Sequence, residues 1–276
     1  MSVTTIETVS GPRREWSRYK HPQSTIRFAV LLAILAFLGY SIAFLNIDLS
    51  RLLGAFPRLA QILATRYFPP DMDYVSDAEF IHSVIRTLEM SLLGGFLGVV
   101  CSIPLAWLAA RNITISRRIA YPFGRFAIMG SRSIHEIIWA LLFVGAVGLG
   151  ALPGILAVAM RSVGFISKIT AEAIENIDPK PVEAIRAVGG NQFQVMYYGI
   201  VPQILPVIIG TVIFEWDINI RRSAIMGLVG AGGLGLVFFR QMAMFNYGGV
   251  TLVVLAVLVL IAIGEVISHY ARKAVI

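Results

Sequence analysis

Two short stretches carry residue types at spacings that chemistry uses, and each fails at a decisive position. His135 and Glu136 begin the pattern H-E-x-x-H, in which two histidines one helical turn apart hold zinc and the glutamate serves as base. Trp139 stands where the second histidine belongs, and His21, His82 and His269 are scattered, so no metal site is expected. Gly230, Gly232 and Gly235 satisfy G-x-G-x-x-G. In a dinucleotide fold such glycines follow a strand and open a helix, with an acidic residue about 20 positions on. Here an apolar run follows instead, and the glycines are assigned to close packing or a broken helix. No G-x-x-x-x-G-K followed by Ser or Thr occurs, so any ATP that drives this protein must be hydrolysed by another subunit. With no convergent nucleophile, base and metal cluster, neither catalytic residues nor a cofactor are expected, and the chain reads as no enzyme.

Ionisable groups within apolar sequence are the second source of candidates, because a charge in hydrocarbon is costly and its presence there points to a function. Glu89, Arg132, Glu136, Glu215 and Asp217 lie in or beside such sequence. Arg132 and Glu136 are four residues apart, the spacing of a pair on one helix face, and read equally as a structural pair or as part of a pathway. Arg221 and Arg222 read as an attraction for an anion or as contacts to lipid headgroups.

These residues sit in a chain that water would not hold. Of its 276 residues, 57% are hydrophobic and 14% charged, and the mean hydropathy is +0.77. A bilayer core about 30 Å thick takes roughly 20 apolar residues per helix. Uncharged runs of that order cover 28–45, 90–110, 197–214 and 241–264, with a further one over 137–160. Strand alternation is absent, so helices and not a barrel are expected. The net charge of +7 fits basic loops that fix orientation better than a nucleic-acid partner. Arg13, Arg14, Arg18 and Lys20 precede the first run and predict a cytoplasmic amino terminus. That run is longer than the apolar region of a cleaved signal peptide. Cys101, the single cysteine, lies in an apolar run and reads as a packing residue.

Hydropathy alone leaves 137–160 open between one helix and the junction of two. One helix would put both the basic segment 161–198 and the tail with Arg272 and Lys273 outside, against the tendency of basic loops to stay inside. A turn at Gly148, Gly150 and Pro153 gives helices over 126–147 and 152–174 and brings both segments inside. The expected fold is an all-α polytopic bundle of six transmembrane helices with both termini cytoplasmic. Its parts are a cytoplasmic extension over 1–24, a first helix and outward loop over 25–86, and a core domain over 87–276 with five of the helices. In the outward loop Leu49, Leu52, Leu53, Phe56, Leu59, Ala60 and Leu63 recur at helical spacing and predict an amphipathic interfacial helix. The glycine-rich run 223–239 is too short for a span. It reads as a re-entrant or outer-gate element with Gly227, Gly230, Gly232, Gly233 and Gly235.

The longest inward connection, 175–198, predicts two short helices joined by a tight turn. Asp178 and Pro179 form an N-cap and first-turn pair. The helix carries Glu183, Ala184 and Ala187 and stops at Gly189 and Gly190, where positive φ costs little. Asn191 then caps a second helix, with Gln194 as its reciprocal partner. Pro202 and Pro206 sit in or near the next span and are expected to bend it.

This loop resembles the cytoplasmic signature of permease subunits of binding-protein-dependent ABC importers: Glu-Ala-Ala, three residues, Gly, nine residues, Ile, one residue, Leu-Pro. Glu183, Ala184, Gly189 and Pro202 fall on that pattern, Ile185 stands at its third position, and Gly199 and Val201 replace its Ile and Leu. Segments 132–150 and 225–235 are similar to the phosphonate (PhnE-like) branch. The resemblance implies a type I, MetI-like permease architecture in a bacterial inner membrane. It further implies a pathway for phosphonate or a related phosphorus oxyanion, formed with a second copy of the chain. Two ATPase subunits would dock on the helix carrying Glu183, Ala184, Ile185 and Gly189, and a periplasmic or lipid-anchored binding protein would deliver cargo. An ion-driven secondary transporter and an integral-membrane enzyme are the competing readings.

Overall fold

Apolar sequence and helix-compatible spacing produce a chain in which all regular structure among the described residues is helical. The computed structural model describes residues 22–46 and 49–275. Arg13, Arg14, Arg18, Lys20 and His21, on which the expected cytoplasmic extension rests, lie outside them. The chain divides into two units, Met1–Gln61 and Ile62–Ile276. The first contains α1 (Pro22–Phe44) and nearly all of α2 (Leu49–Ile62). From Ile26 to Phe44 the large apolar side chains of α1 are at least half exposed on every face, the pattern of a helix made for lipid. The helix α2 is amphipathic, as its leucine spacing predicts: Arg51 and Arg58 share it with exposed Leu53, Phe56 and Leu59.

The second unit holds the bundle. Asp77 caps α3 (Ala78–Ala109) by accepting from the Glu79 amide at 2.9 Å. Then come α4 (Ala120–Ser133), α5 (Glu136–Val147) and α6 (Ala151–Glu175), with the turn at Gly148 and Gly150 where expected. Next are α7 (Pro179–Ala187), the single turn α8 (Gln192–Gln194) and α9 (Val201–Met226), followed by α10 (Gly233–Ala243) and α11 (Tyr247–Val275). A π-helical turn, Val195–Ile200, runs α8 into α9. Among the described residues five stretches are long and apolar enough to cross a membrane: Thr25–Phe44, Ala78–Ala109, Ala151–Glu175, Gln192–Val229 and Tyr247–Ala274. A sixth arises when α4 and α5 are taken as one broken span.

That break corrects the expectation of one helix over 126–147. The pair bends by 94° between Ser133 and Glu136. Ile134 is extended, and the His135 side chain caps α5 by accepting from the Ile137 amide at 3.3 Å. A side chain that competes for backbone donors starts a new helix here, and Glu136 in its first turn suits the helix dipole.

The helix α6 is the hub and packs on α3, α4, α5 and α9. Its approach to α3 depends on Gly94 and Gly98: a β-carbon would stand 2.7 Å from a Val158 methyl at the first and 2.5 Å from Ser162 Cβ at the second. Small residues four apart are how helices approach closely where lipid removes the hydrophobic drive. The buried core at the α7 end follows the same rule, with Ala106, Ala109 and Ala171 beside Ile128, Ile174 and Ile204. At the opposite end Phe80, Leu234 and Leu252 join α3, α10 and α11. Cys101, expected to pack, is instead exposed on the outer face of α3 near Val100 and Ile103.

Candidate functional site

The first candidate region is the helix pair after α6, whose local chemistry matches its sequence signals. Asp178 Oδ1 accepts from the Lys180 amide at 3.0 Å, and Pro179 fills the first turn of α7. The helix ends in a Schellman turn: the Gly190 amide donates to Ile185 O at 2.9 Å and the Gly189 amide to Arg186 O at 3.0 Å. Gly189 has φ +82°, a conformation that a β-carbon resists. Asn191 and Gln194 then form a complete capping box, with reciprocal bonds of 2.9 and 2.8 Å.

Two of the three residues that depart from the family pattern, Ile185 and Gly199, meet in space. Ile185 and Val182 reach toward α9 and lie over Gly199, where a β-carbon would stand 3.2 Å from Ile185 Cδ1. Gln203 fastens the same junction: its Oε1 accepts from the Asp178 amide at 2.9 Å and its Nε2 donates to Gly199 O at 2.6 Å. Sequence reasoning missed Gln203, since its partner lies 25 positions away. Glu183, Ala184 and Gly189 are exposed, as is Pro202 at the start of α9, with the apolar Val188 and Phe193 beside them. Among the described residues Glu183 has no ion-pair partner.

Just before α7, Glu175 Oε1 accepts from Arg125 Nη2 at 2.7 Å and from the Arg111 amide at 2.8 Å. Asn112 Nδ2 donates to Ile174 O at 2.6 Å. The α3–α4 connection is thereby tied to the last turn of α6.

The second region lies within the bundle. Glu136 does not pair with Arg132, contrary to the i,i+4 expectation, because the α4–α5 bend turns them onto diverging helices. It faces Arg222 at 3.8 Å and Arg161 at 4.0 Å. Arg222, only 12% exposed, donates to Glu215, itself 1% exposed, and to Asn219 Oδ1 at 3.0 Å. The Ser162 hydroxyl donates to Glu215 Oε1 at 3.0 Å, and Asn219 Nδ2 donates to Ser162 Oγ at 2.9 Å. Arg222 is thus a core residue, which its sequence reading as an anion lure or headgroup contact did not foresee. Arg221 pairs with Asp217 at 2.7 Å, and Glu89 stays apart on an exposed face of α3.

The third region caps the bundle away from α7. After α9 a short 3-10 turn, Gly227–Val229, leads into glycines with φ of +86° at Gly230, +88° at Gly232 and +70° at Gly233. A β-carbon on Gly227 would stand 2.2 Å from the Leu236 amide nitrogen, and one on Gly235 would stand 2.4 Å from Ala224 O. The Gly150 amide donates to Gly230 O at 3.1 Å, and the Leu234 amide donates to Thr87 Oγ1 at 2.9 Å. The glycines make a broken helix in which backbone packs on backbone.

The second unit is thus a lipid-adapted helical bundle with buried ion pairs and a capped two-helix projection at one end. The sequence profile described as "Binding-protein-dependent transport system inner membrane component" matches residues 102–276, and the chain belongs to that family. It is 36% identical over 251 residues to the "Phosphite transport system permease protein PtxC" of Stutzerimonas stutzeri, covering 91% of this chain and 88% of that one. It is 34% identical over 212 residues to the "Phosphate-import permease protein PhnE" of Mycolicibacterium smegmatis, covering 77% of this chain and 40% of the relative. Among solved structures, an inward-facing MetNI methionine ABC transporter superposes with TM-score 0.63 at 23% identity, covering 72% of this chain and 96% of that one. The fold is therefore that of a MetI-like ABC permease.

Proposed function

We propose that this permease forms the translocation pathway of an ABC importer for a phosphorus oxyanion, phosphite or a phosphonate. ATP is hydrolysed by a separate subunit that docks on α7. The observation that carries this reading is the exposed surface of Glu183, Ala184 and Gly189 on a helix capped at each end and tied to α9 by Gln203, with no ion-pair partner for Glu183 among the described residues. A capped helix that presents Glu183 beside exposed Val188 and Phe193 suits an interface. The cargo class comes from the names of the phosphite and phosphate relatives.

The complex would contain two copies of this chain and two ATPase subunits, with both termini and α7 on the cytoplasmic side of the inner membrane. A periplasmic or lipid-anchored binding protein would deliver cargo at the other face, beside Gly227, Gly230, Gly232, Gly233 and Gly235 as the outer gate. Arg132 and Glu136 stand beside the pathway. Closure of the ATPases would move α7 and, through it, the bundle as rigid bodies.

The test is co-purification with an ATPase subunit and measurement of hydrolysis stimulated by loaded binding protein. Glu183→Ala and Gly189→Pro should insert normally and lose that stimulation. Unchanged stimulation in both would remove the docking role, and uptake by the permease without any ATPase would establish an ion-driven transporter instead.

A further inference from the structure

A groove of about 370 Å³ runs between α4 and α6, and its charged lining is entirely cationic: Arg125, Arg132, Arg161 and Lys168. That volume is room for about a dozen waters. Each helix contributes two of the cations at a separation of seven residues, about 10 Å of rise, so the charges form a ladder. Arg161 and Arg132 lie toward the middle of the bundle, and Lys168 and Arg125 lie toward the α7 end.

The acids that balance this ladder stand outside the groove. Arg125 holds Glu175 at 2.7 Å, Lys168 holds Glu172 at 3.6 Å, and Arg161 faces Glu136 at 4.0 Å. None of the three carboxylates lines the groove. Among the described residues Arg132 has no acidic partner at all. Arg161 leans toward it, donating from Nη1 to the Arg132 carbonyl at 2.5 Å. A cation within a membrane-spanning stretch is expensive without a counter-charge, and its retention calls for an anion that visits.

We propose that this groove transiently binds the transported tetrahedral oxyanion, with Arg132 as the free charge and Arg161 and Lys168 as flanking donors. This rests on the importer reading above. Guanidinium groups present paired N–H donors that match the oxygens of a phosphorus oxyanion. Partial neutralisation by Glu136 and Glu172 keeps the site weak, as a conduction site must be if its occupant is to leave. The ladder's direction, from mid-bundle toward α7, marks the exit half of the path.

The experiment uses the complex of permease, ATPase and binding protein in vesicles of phosphatidylcholine alone, with phosphite as probe. Arg132→Gln should lower phosphite uptake per ATP hydrolysed roughly tenfold; Arg132→Lys should recover much of it. Met129 lines the same groove and is largely exposed. Met129→Glu should therefore reproduce the loss with Arg132 intact, and Met129→Gln should not. Wild-type uptake in both Arg132→Gln and Met129→Glu would overturn the groove and leave the importer reading standing. A wild-type complex without stimulated hydrolysis would remove the importer reading and the groove's role with it. The same phosphorus oxyanion chemistry is found in lipid headgroups. A defect that appears only when phosphatidylglycerol is added would assign the groove to headgroups and overturn its role in transport.

Discussion

Ile185 lies over Gly199, its Cδ1 3.2 Å from the place a β-carbon of residue 199 would occupy. The family pattern has a small residue at the first position and a large one at the second, so this chain has exchanged bulk across one contact. Gly199→Ile alone should overpack the α7–α9 junction, at a cost of about 1–3 kcal/mol. Ile185→Ala alone should cost less than the roughly 2–5 kcal/mol of a fully buried site, since Ile185 is only half-buried. Together they restore the family arrangement, and the double variant should be more stable than the sum by about 1 kcal/mol or more. Thermal unfolding of the four purified permeases measures the cycle; strict additivity would disprove the contact.

Gly189 sits at φ +82° with both Schellman hydrogen bonds around it. Asn tolerates that conformation and Val does not. Gly189→Asn should retain most of the stimulated ATP hydrolysis and Gly189→Val little of it, with strain of about 1–3 kcal/mol at the turn. Faster exchange of the Gly190 amide in Gly189→Val would report the same loss locally.

The buried pair Arg222 and Glu215 should be asymmetric to mutation. Arg222→Met leaves Glu215 and Glu136 without their shared cation and should cost about 3–5 kcal/mol. Adding Glu215→Leu removes the more deeply buried charge and should recover a good part of that loss. Melting temperatures in detergent give the order wild type, double variant, Arg222→Met from highest to lowest; a double variant below the single one would contradict it.

Glycine positions separate cleanly by the space around them. Gly227→Ala would drive a β-carbon to within 2.2 Å of the Leu236 amide nitrogen, a backbone atom that has no rotamer to change, and should sharply reduce the yield of folded protein. Gly145→Ala meets nothing within 4 Å and should be neutral or stabilise α5 by about 0.5–1 kcal/mol. Size-exclusion profiles of the two variants test the contrast.

Local signals made much of this molecule legible. Asp178, Gly189, Asn191 and Gln194 act on residues within five positions, and each made the cap or turn that its type implies. The spans were readable because lipid demands length and apolarity, which composition reports directly. The break at His135 was hidden by the same averaging, since 137–147 is apolar enough to look like the continuation of any helix before it. The spacing of Ser133 and Glu136 is that of a capping box and was the available hint, although His135 makes the cap. Arg222, Ser162 and Asn219 were illegible for a different reason. Ser162 bonds Glu215 and Asn219 from α6 to α9 across more than 50 positions, Arg222 faces Glu136 of α5 from still further along the chain, and nothing in a single segment announces these contacts.

Gln203 of α9 and Glu175 of α6 both anchor the root of the same short projection, one by bonding Asp178 and the other by bonding Arg111 and Arg125. A load applied to the exposed side of α7 has no slack hinge in which to dissipate. It arrives at α9 and at the α3–α4 connection together, so α7 works less as a flexible tether than as a lever clamped at its root.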